Sequence, residues 1–351
     1  MAIDDQKMND FMNRFVGDIG AVLHAPLVVL GDQLGLYRTL AKRAHSAASL
    51  ALETATAERY VAEWLAANAA SGYVEYDPKT SRYHMTEEQA AALADSESPT
   101  YIPGAFLIAM AMFRDESKIA EAFRSGKGFG WHQHDKCLFA GTAKFFRANY
   151  IGNLVGSWIP ALAEVKEKLE QGARVADVGC GYGASTILMA KAFPQSRFYG
   201  FDYHSDSVAA ARRAAETAGL LGRISFETAP AKAFAGERYD LITFFDCLHD
   251  MGDPEGVARH ALRALEPDGT CMIVEPFAHD TIAENLNPIG RIFYSASTMV
   301  CTPASKADEG GLALGAQAGE ARIRDLIHSA GFTRFRRAAE TPFNLVFEAR
   351  P

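Results

Sequence analysis

The sequence predicts an α/β protein in which a doubly wound, seven-stranded sheet with an antiparallel terminal hairpin follows a mostly α-helical winged-helix domain. Three observations support this fold class. Strand-length apolar runs alternate with helix-length segments from residue 174 onward, a short connection joins the last two runs, and a helix–turn–helix–hairpin pattern fills the first 94 residues. At 351 residues the chain is longer than one hydrophobic core usually supports, so about two domains are expected.

Composition favours a globular cytoplasmic protein with small-molecule partners. The chain is 48% hydrophobic and carries a net charge of -8, which argues against binding to nucleic acid or to anionic lipid. No basic start precedes a short apolar core, and the densest apolar stretches, Ile19–Leu30 and Tyr101–Phe113, are shorter than a bilayer requires. The five cysteines form no C-x-x-C pair, which predicts reduced thiols rather than disulfides.

The N-terminal pattern is that of a winged helix. Ser46–Glu53 and Thr56–Ala70 have helical spacing, and Gly72 ends the second segment. Two strand-like segments, Gly72–Tyr76 and Arg82–Met85, flank a turn rich in Asp, Pro and Ser. We therefore expect three regions: a winged-helix-like domain over 1–94, a helical connector or cap over 95–170, and a ligand-binding α/β domain over 171–351.

The C-terminal half predicts a parallel sheet covered on both faces, because helix-length segments separate most of its strands. Its tail differs, since only Ala338–Pro342 separates the last two strands. A parallel crossover needs about a dozen residues or more, so these strands must pair antiparallel. The predicted strands are 174–178, 197–202, 223–227, 239–245, 270–275, 332–337 and 343–349.

A glycine-rich loop, Asp177–Gly183, joins the first of these strands to a helix. Glycines permit a sharp turn and close approach of the backbone to a ligand, and the free amides of the helix start favour an anionic group. Gly179, Gly181 and Ala184 also fit the dinucleotide fingerprint, so the glycines alone leave the cofactor open, and a turn without a ligand is the structural alternative. Asp202 ends the next strand, where an acidic residue commonly accepts hydrogen bonds from ribose hydroxyls.

Together, Val175–Gly183, Tyr199–Asp202 and the terminal hairpin resemble the class I S-adenosylmethionine-dependent methyltransferases, whose sheet is Rossmann-like. The resemblance covers about residues 165–351. It implies S-adenosylmethionine as cofactor and favours this cofactor over NAD. In that family the acid before the glycines, here Asp177, lies near the methionine amino group. The other cofactor contacts that we expect are Gly179, Cys180, Gly181, Asp202, Tyr203, Ala229, Asp246 and Cys247.

One position departs from the family pattern. Many members carry an Asp after the third strand that reaches the adenine amine, but this chain has Thr228–Ala231 there. Adenine recognition at Ala229 is therefore expected to use backbone groups or packing.

The strongest catalytic candidate is His249, in the segment Phe245–Pro254 after the fourth strand. His249-Asp250 resembles the His-Asp-Trp segment of plant-type small-molecule O-methyltransferases, whose histidine is the general base, although Met251 replaces the Trp. Histidine suits proton removal near neutral pH. Glu275, at the end of the fifth strand, could orient His249 or the acceptor. The structural alternatives are a capping role for His249, near the helix that starts at Pro254, and a solvated strand end for Glu275.

Other features concern the acceptor and the partners. The two histidines of Trp131–His134 are better explained as lining of an acceptor pocket than as metal ligands, so no metal is expected. The long stretch 279–319 after the fifth strand is the main candidate for acceptor specificity. We expect a small aromatic or lipophilic hydroxylated acceptor, no membrane partner, and a homodimer formed through the N-terminal helices.

Two alternative functions follow from the same residues. A winged helix could belong to a transcriptional regulator that senses a small ligand, but Ala57–Leu65 supplies one Arg against two Glu, and groove-binding helices usually present several Lys or Arg. A binding protein that keeps the cofactor without catalysis is the other alternative, in which replacing His249 would not change turnover.

Overall fold

The computed structural model describes residues 3–351 and divides the chain into two compact units. The N-terminal unit extends to Ala111 and also includes Ala140–Ala148. The C-terminal unit consists of Met112–Phe139 and Asn149–Pro351. Residues of the predicted connector, 95–170, contribute to both units.

The N-terminal unit is helical with one small hairpin, as the sequence predicts. Ser46 and Thr86 begin two of its helices with capping boxes, in which each side chain accepts a hydrogen bond from the backbone three residues later. Its core packs around Tyr37 and Trp64, whose ring centroids are 4.9 Å apart. The elements are α1 Asp5–Gln33, α2 Leu36–Leu40, α3 Ala47–Glu53, α4 Glu58–Ala70, β1 Glu75–Asp77, β2 Arg82–His84 and α5 Glu87–Leu93.

Helix α1 corrects one expectation from the sequence. It is a continuous helix of 29 residues, and it is the one helix in the described part of the chain that is long and apolar enough to cross a membrane. The apolar run Ile19–Leu30 is only the later part of this helix, so the run alone does not reveal the helix's length. Within its most apolar window, 33% of the residues are buried. Length and composition alone are weak evidence for a membrane span, because core helices have the same properties.

The sheet of the C-terminal unit has seven strands in the order β5-β4-β3-β6-β7-β9-β8. The first five strands in sequence run parallel, and β9 pairs antiparallel with both β7 and β8, which confirms the predicted terminal hairpin. The chain reverses its direction of growth between β3 and β6, and parallel sheets bind ligands at such points. The strands are β3 Arg174–Val178, β4 Arg197–Asp202, β5 Ile224–Thr228, β6 Tyr239–Phe245, β7 Leu265–Pro276, β8 Arg334–Glu340 and β9 Asn344–Arg350.

Helices follow the strands as the alternation predicts, and the stretch after β7 folds into a helical insertion rather than a plain loop. One turn of the insertion, Ser297–Cys301, forms a π-helix, and Leu154–Trp158 forms another earlier in the chain. Helices α6 and α7 contribute residues to both units. The helices are α6 Pro103–Ser125, α7 Lys136–Asn153, α8 Ile159–Ala161, α9 Val165–Gln171, α10 Ala184–Ala192, α11 Ser205–Thr217, α12 Pro254–Ala264, α13 Pro288–Ala296, α14 Thr302–Ala307 and α15 Glu320–Ser329.

Candidate cofactor and active site

The glycine loop between β3 and α10 has the conformation that the sequence predicts. Gly179, Gly181 and Gly183 all have positive φ angles, between 52° and 77°, which side-chain-bearing residues rarely adopt. The amides of Gly179 and Cys180 both donate to the carbonyl of Phe201, at 2.8 and 3.1 Å, so the loop is tied to the end of β4. A Cβ added at Gly181 would meet nothing within 4 Å, which leaves the backbone open to a ligand there.

Gly179 also accommodates Cys247 from the neighbouring strand. A Cβ on Gly179 would lie 2.7 Å from the Cys247 sulfur, which in turn contacts the Val178 carbonyl at 3.3 Å. Cys180 and Cys247 are thus packed beneath the loop, and burial raises the pKa of both thiols well above the ordinary value. Both residues lie where the resemblance implies cofactor contacts, and their role toward the cofactor stays a prediction.

We predict that Gly179→Ala lowers the free energy of unfolding more than Gly181→Ala does. Both substitutions place a side chain at positive φ, at a cost of roughly 1–2 kcal/mol, but only the first also overlaps the Cys247 sulfur, which adds roughly 1–3 kcal/mol. Urea unfolding of both variants and of Gly179→Ala/Cys247→Ala measures the difference. Equal losses in the two single variants, or no recovery in the double variant, would contradict the packing argument.

The buried carboxylate of Asp177 organises the loop through hydrogen bonds. Its carboxylate accepts hydrogen bonds from Ser185 and Thr186, both at 2.6 Å, and from Thr243 at 3.1 Å, and the residue is 1% exposed. Burial raises the pKa of Asp177, and the three hydroxyls partly offset this rise. Asp177 therefore connects the end of β3 to α10 and β6 through these hydrogen bonds, a role that the sequence did not predict. A direct contact with the methionine amino group stays a prediction.

Asp202 lies at the carboxyl end of β4, beside the glycine loop. One carboxylate oxygen accepts from the Gly181 amide at 2.9 Å and the other from the His204 amide at 2.8 Å, so the side chain has a fixed orientation. Each oxygen keeps a further lone pair for a hydroxyl. Burial raises the pKa of Asp202, and the two backbone donors oppose this rise.

Two further predicted contacts lie beside Asp202. Tyr203 is half exposed, and its ring lies 6.1 Å from that of His132 in an edge-on arrangement. The amide of Ala229 donates to the Asp202 carbonyl at 3.0 Å, which places the loop after β5 next to the carboxyl end of β4. Adenine could therefore meet an aromatic face and a backbone segment here, without the Asp that many relatives carry.

Asp246 occupies a polar network that sequence reasoning missed. Its carboxylate accepts from Asn344 on β9 at 2.7 Å and from the Tyr150 hydroxyl at 3.2 Å. Asn149 donates to Asn344 at 2.5 Å. Burial, reinforced by the charge of Glu275, raises the pKa of Asp246 well above its ordinary value. Its cofactor contact remains a prediction, and Asn344 and Tyr150 are new members of this part of the site.

His249 and Glu275 form a buried pair at the ends of adjacent strands. His249 lies in a 3₁₀ turn after β6, Glu275 lies near the end of β7, and His249 Nδ1 is 2.5 Å from Glu275 Oε2. Their side chains are 3% and 5% exposed, so Glu275 is not a solvated strand end. The cap of α12 is Asp253, whose side chain accepts from the Gly256 amide, so the structure does not support a capping role for His249.

The second nitrogen of His249 faces Asp250. The distance from Nε2 to Asp250 Oδ1 is 3.1 Å, and this buried oxygen has no hydrogen bond of good geometry within residues 3–351. Burial alone would lower the pKa of His249, but the charges of Asp250 and Glu275 outweigh it and raise the pKa well above 6.5. The two flanking carboxylates therefore favour the charged form of the imidazole in the ligand-free protein, an effect that the sequence alone does not display.

The insertion after β7 folds back onto the turn that carries His249. Ser305 donates to the Met251 carbonyl at 2.8 Å, and the Leu312 amide donates to the Gly252 carbonyl at 3.0 Å. The sulfur of Cys301 and one donor atom each from His249 and Asp250 all lie within 4.8 Å of one another. The three groups could hold a metal ion, yet the ion pair between His249 and Asp250 already accounts for their approach.

Comparison with known protein families identifies both parts of the chain. Residues 169–321 match the model of a methyltransferase domain, and residues 23–95 match that of an Rv2258c-like winged helix-turn-helix domain. The chain carries a methyltransferase domain. With the preceding winged helix and the seven-stranded sheet, this confirms the recognition of the class I S-adenosylmethionine-dependent methyltransferase fold made from the motifs.

Relatives of the methyltransferase domain have varied substrates. The chain is 42% identical over 83 residues to a trans-aconitate 2-methyltransferase of Streptomyces avermitilis, covering 23% of this chain and 30% of that protein. It is 26% identical to the methyltransferase GfsG of Streptomyces halstedii, covering 54% of this chain and 71% of that protein. The chain spans only 30–45% of the length of several curated methyltransferases that it matches.

Solved structures share the fold over the full length. Human N-acetylserotonin methyltransferase in complex with S-adenosylmethionine is 16% identical, with a TM-score of 0.72 and coverage of 100% of this chain and 98% of that chain. An O-methyltransferase family protein from Burkholderia thailandensis is 17% identical, with a TM-score of 0.68 and coverage of 100% and 99%. At these identities the likeness shows the fold.

The methyltransferase domain fits S-adenosylmethionine on two observations. The backbone at Gly181 is open, next to a fixed carboxylate on Asp202 that can accept ribose hydroxyls. Farther along the same sheet edge, Asp250 and Glu275 place two carboxylates around one imidazole, and this excess negative charge complements a sulfonium. The cofactor inferred from the motifs therefore agrees with the geometry and with the family match.

Proposed function

We propose that this protein is an S-adenosylmethionine-dependent O-methyltransferase of a small hydroxylated molecule, with His249 as general base. The observation that carries the proposal is the buried His249–Glu275 pair at the ligand-binding edge of the sheet. A carboxylate on Nδ1 fixes the tautomer and the ring orientation, which leaves Nε2 to receive a proton. The trans-aconitate and N-acetylserotonin methyltransferases named above support methyl transfer to a small molecule and leave the acceptor open.

In the proposed reaction, bound S-adenosylmethionine supplies a methyl group on a positively charged sulfur. Held by the glycine loop and Asp202, the cofactor would give its methyl group to the acceptor oxygen and leave as S-adenosylhomocysteine, while His249 Nε2 accepts the hydroxyl proton. Holding the oxygen and the methyl in line contributes most of the acceleration. Glu275 stabilises the imidazolium that forms. Asp250 must release Nε2 before an acceptor hydroxyl can take its place.

We predict that kcat/KM rises with pH through a limb well above pH 6.5. The base must be neutral, and His249 stays protonated until the pH exceeds its raised pKa, so activity is low below that pKa and reaches a plateau above it. Glu275→Gln removes one of the charges that raise this pKa and should move the limb to lower pH. Methyl transfer to a phenolic acceptor, followed from pH 5 to 10, measures the shift. A flat profile would contradict a titrating base.

We further propose a cytoplasmic homodimer that forms through α1. Phe11, Val16 and Leu23 on this helix are 64%, 63% and 68% exposed, and soluble proteins rarely leave so much apolar surface uncovered. We predict that Phe11→Asp/Val16→Asp converts the dimer to a monomer in light scattering, because burying two charges at an apolar interface is costly. A wild-type monomer, or detergent-dependent solubility of the wild type, would contradict the dimer.

The regulator alternative is not favoured. The methyltransferase match covers the domain that holds the buried His249–Glu275 pair, and Glu58 and Glu63 flank Arg59 on the exposed side of α4. A cofactor-binding protein without catalysis differs from our proposal in one measurable respect. It predicts that removal of the His249 imidazole has no effect on turnover.

A further inference from the structure

A second buried imidazole–carboxylate pair, apart from His249 and Glu275, contains one of the two histidines that the sequence suggests as lining of an acceptor pocket. His134 Nδ1 is 2.9 Å from Asp115 Oδ2, and the two side chains are 2% and 1% exposed. Asp115 also accepts from the Asp135 amide at 2.9 Å and from the Lys118 ammonium at 2.8 Å. The carboxylate is thus held in place from three sides, and it fixes the imidazole in turn.

The protonation of this pair follows from its partners. Burial would raise the pKa of Asp115, but Lys118 and the other donors outweigh it and lower the pKa. Burial lowers the pKa of His134, which Asp115 offsets only in part. A neutral imidazole beside an ionised carboxylate carries its proton on Nδ1, so Nε2 is a hydrogen-bond acceptor. This Nε2 is buried and has no hydrogen-bond partner among the described residues.

The Phe129 segment, whose ring contacts His134, and the turn that carries His249 are both hydrogen-bonded to the same short helix, α14. The Phe129 amide donates to the Pro303 carbonyl at 2.9 Å, and Ser305 donates to the Met251 carbonyl at 2.8 Å. The charge of Asp250 also acts on His134, whose pKa it raises slightly against the effect of burial. These contacts place His134 in the same region of the C-terminal unit as His249.

Two buried polar atoms in this region, His134 Nε2 and Glu275 Oε1, lack a hydrogen-bond partner in the part of the chain that the structure describes. A third, Asp250 Oδ1, has no hydrogen bond of good geometry and only the ion pair with His249 Nε2 at 3.1 Å. A buried polar group without a partner is costly, and native proteins keep few of them. A ligand with one hydroxyl could satisfy only some of these atoms. A ligand with two neighbouring oxygen functions could engage His249 with one and His134 with the other.

We propose that His134, oriented by Asp115, binds the methyl acceptor, and that the acceptor is an aromatic compound with a second hydroxyl next to the one that is methylated. This inference rests on the proposed function. The second hydroxyl donates to His134 Nε2 while the first donates its proton to His249. An aromatic acceptor fits because the rings of Phe129 and Trp131 lie 4.6 and 6.4 Å from that of His134, both edge-on.

The test uses matched probes with S-adenosylmethionine: catechol against phenol, and 2,3-dihydroxynaphthalene against 2-naphthol. We expect the wild type to prefer the dihydroxy member of each pair by roughly 10²-fold or more in kcat/KM, because a site built to bind a hydroxyl rejects the analogue that lacks it. His134→Phe should erase the preference by raising KM for the dihydroxy probes alone. His134→Gln, whose amide oxygen can replace Nε2 as an acceptor, should restore part of it.

Controls separate this inference from a folding defect and from the proposed function. His328→Gln alters a histidine on α15 that bonds the Phe332 carbonyl and should change nothing, and unchanged S-adenosylmethionine affinity shows that each variant is folded. An unchanged probe ratio in His134→Phe overturns the role of His134. A wild type that shows no preference, or that neither methylates nor binds catechol in calorimetry with S-adenosylhomocysteine, overturns the acceptor class. Failure of the wild type to bind S-adenosylmethionine overturns the proposed function itself.

Discussion

His249→Ala is expected to lower kcat by about 10²–10⁴-fold while the affinity for S-adenosylmethionine stays within about twofold of the wild type. The imidazole is the buried group whose Nε2 can take the acceptor proton, since Glu275 occupies Nδ1. Without it, the hydroxyl must lose its proton to solvent or attack while still protonated. Single-turnover methyl transfer to 2,3-dihydroxynaphthalene measures kcat, and calorimetry measures the cofactor affinity.

The His328→Ala variant provides the matched control, because this histidine lies on α15 and bonds the Phe332 carbonyl. It should retain wild-type kcat. An unchanged kcat in His249→Ala would remove the general base from the account and favour a binding protein or a reaction driven by alignment alone. A loss of cofactor affinity equal to the loss of kcat would instead indicate damage to the fold.

Asp202→Ala is expected to weaken binding of S-adenosylmethionine by roughly 100-fold or more. Two hydrogen bonds to a carboxylate contribute about 3 kcal/mol together, which corresponds to a factor of roughly 100. The same variant also frees the Gly181 and His204 amides, which loosens the glycine loop. Isothermal titration of the purified variant with the cofactor measures the loss.

Asp206→Ala is the control for this variant. Asp206 is an exposed acid in the first turn of α11, close in sequence to Asp202 but without its contacts to the loop. Its removal should leave cofactor affinity unchanged. Equal affinities in wild type and Asp202→Ala would refute the ribose contact and, with it, the position of the cofactor on this edge of the sheet.

The architecture was predictable because it depends on local patterns. Apolar runs of strand length alternate with helical segments, and the short Ala338–Pro342 connection permits only an antiparallel pair, which β8 and β9 form. The positive φ angles of Gly179 and Gly181 likewise follow from glycine's freedom at a strand–helix turn. These features require only neighbouring residues.

The details of the site depend on contacts between distant residues, which the sequence does not display. Asn344 and Tyr150 hydrogen-bond to Asp246 although they lie 98 and 96 positions from it in the sequence. His249, which has a carboxylate beside each ring nitrogen, is a similar case. The effect of Glu275 on its pKa depends on the pairing of β6 with β7. The resemblance indicated His249 as the base but could not indicate that two carboxylates raise its pKa.

The central claim is that the protein binds S-adenosylmethionine, and one titration tests it most directly. The purified wild-type protein is titrated by calorimetry with S-adenosylmethionine and, separately, with NAD. We expect micromolar binding of S-adenosylmethionine at one site per chain and no heat from NAD. Binding of NAD without S-adenosylmethionine would contradict the account and assign the glycine loop and Asp202 to a dinucleotide instead.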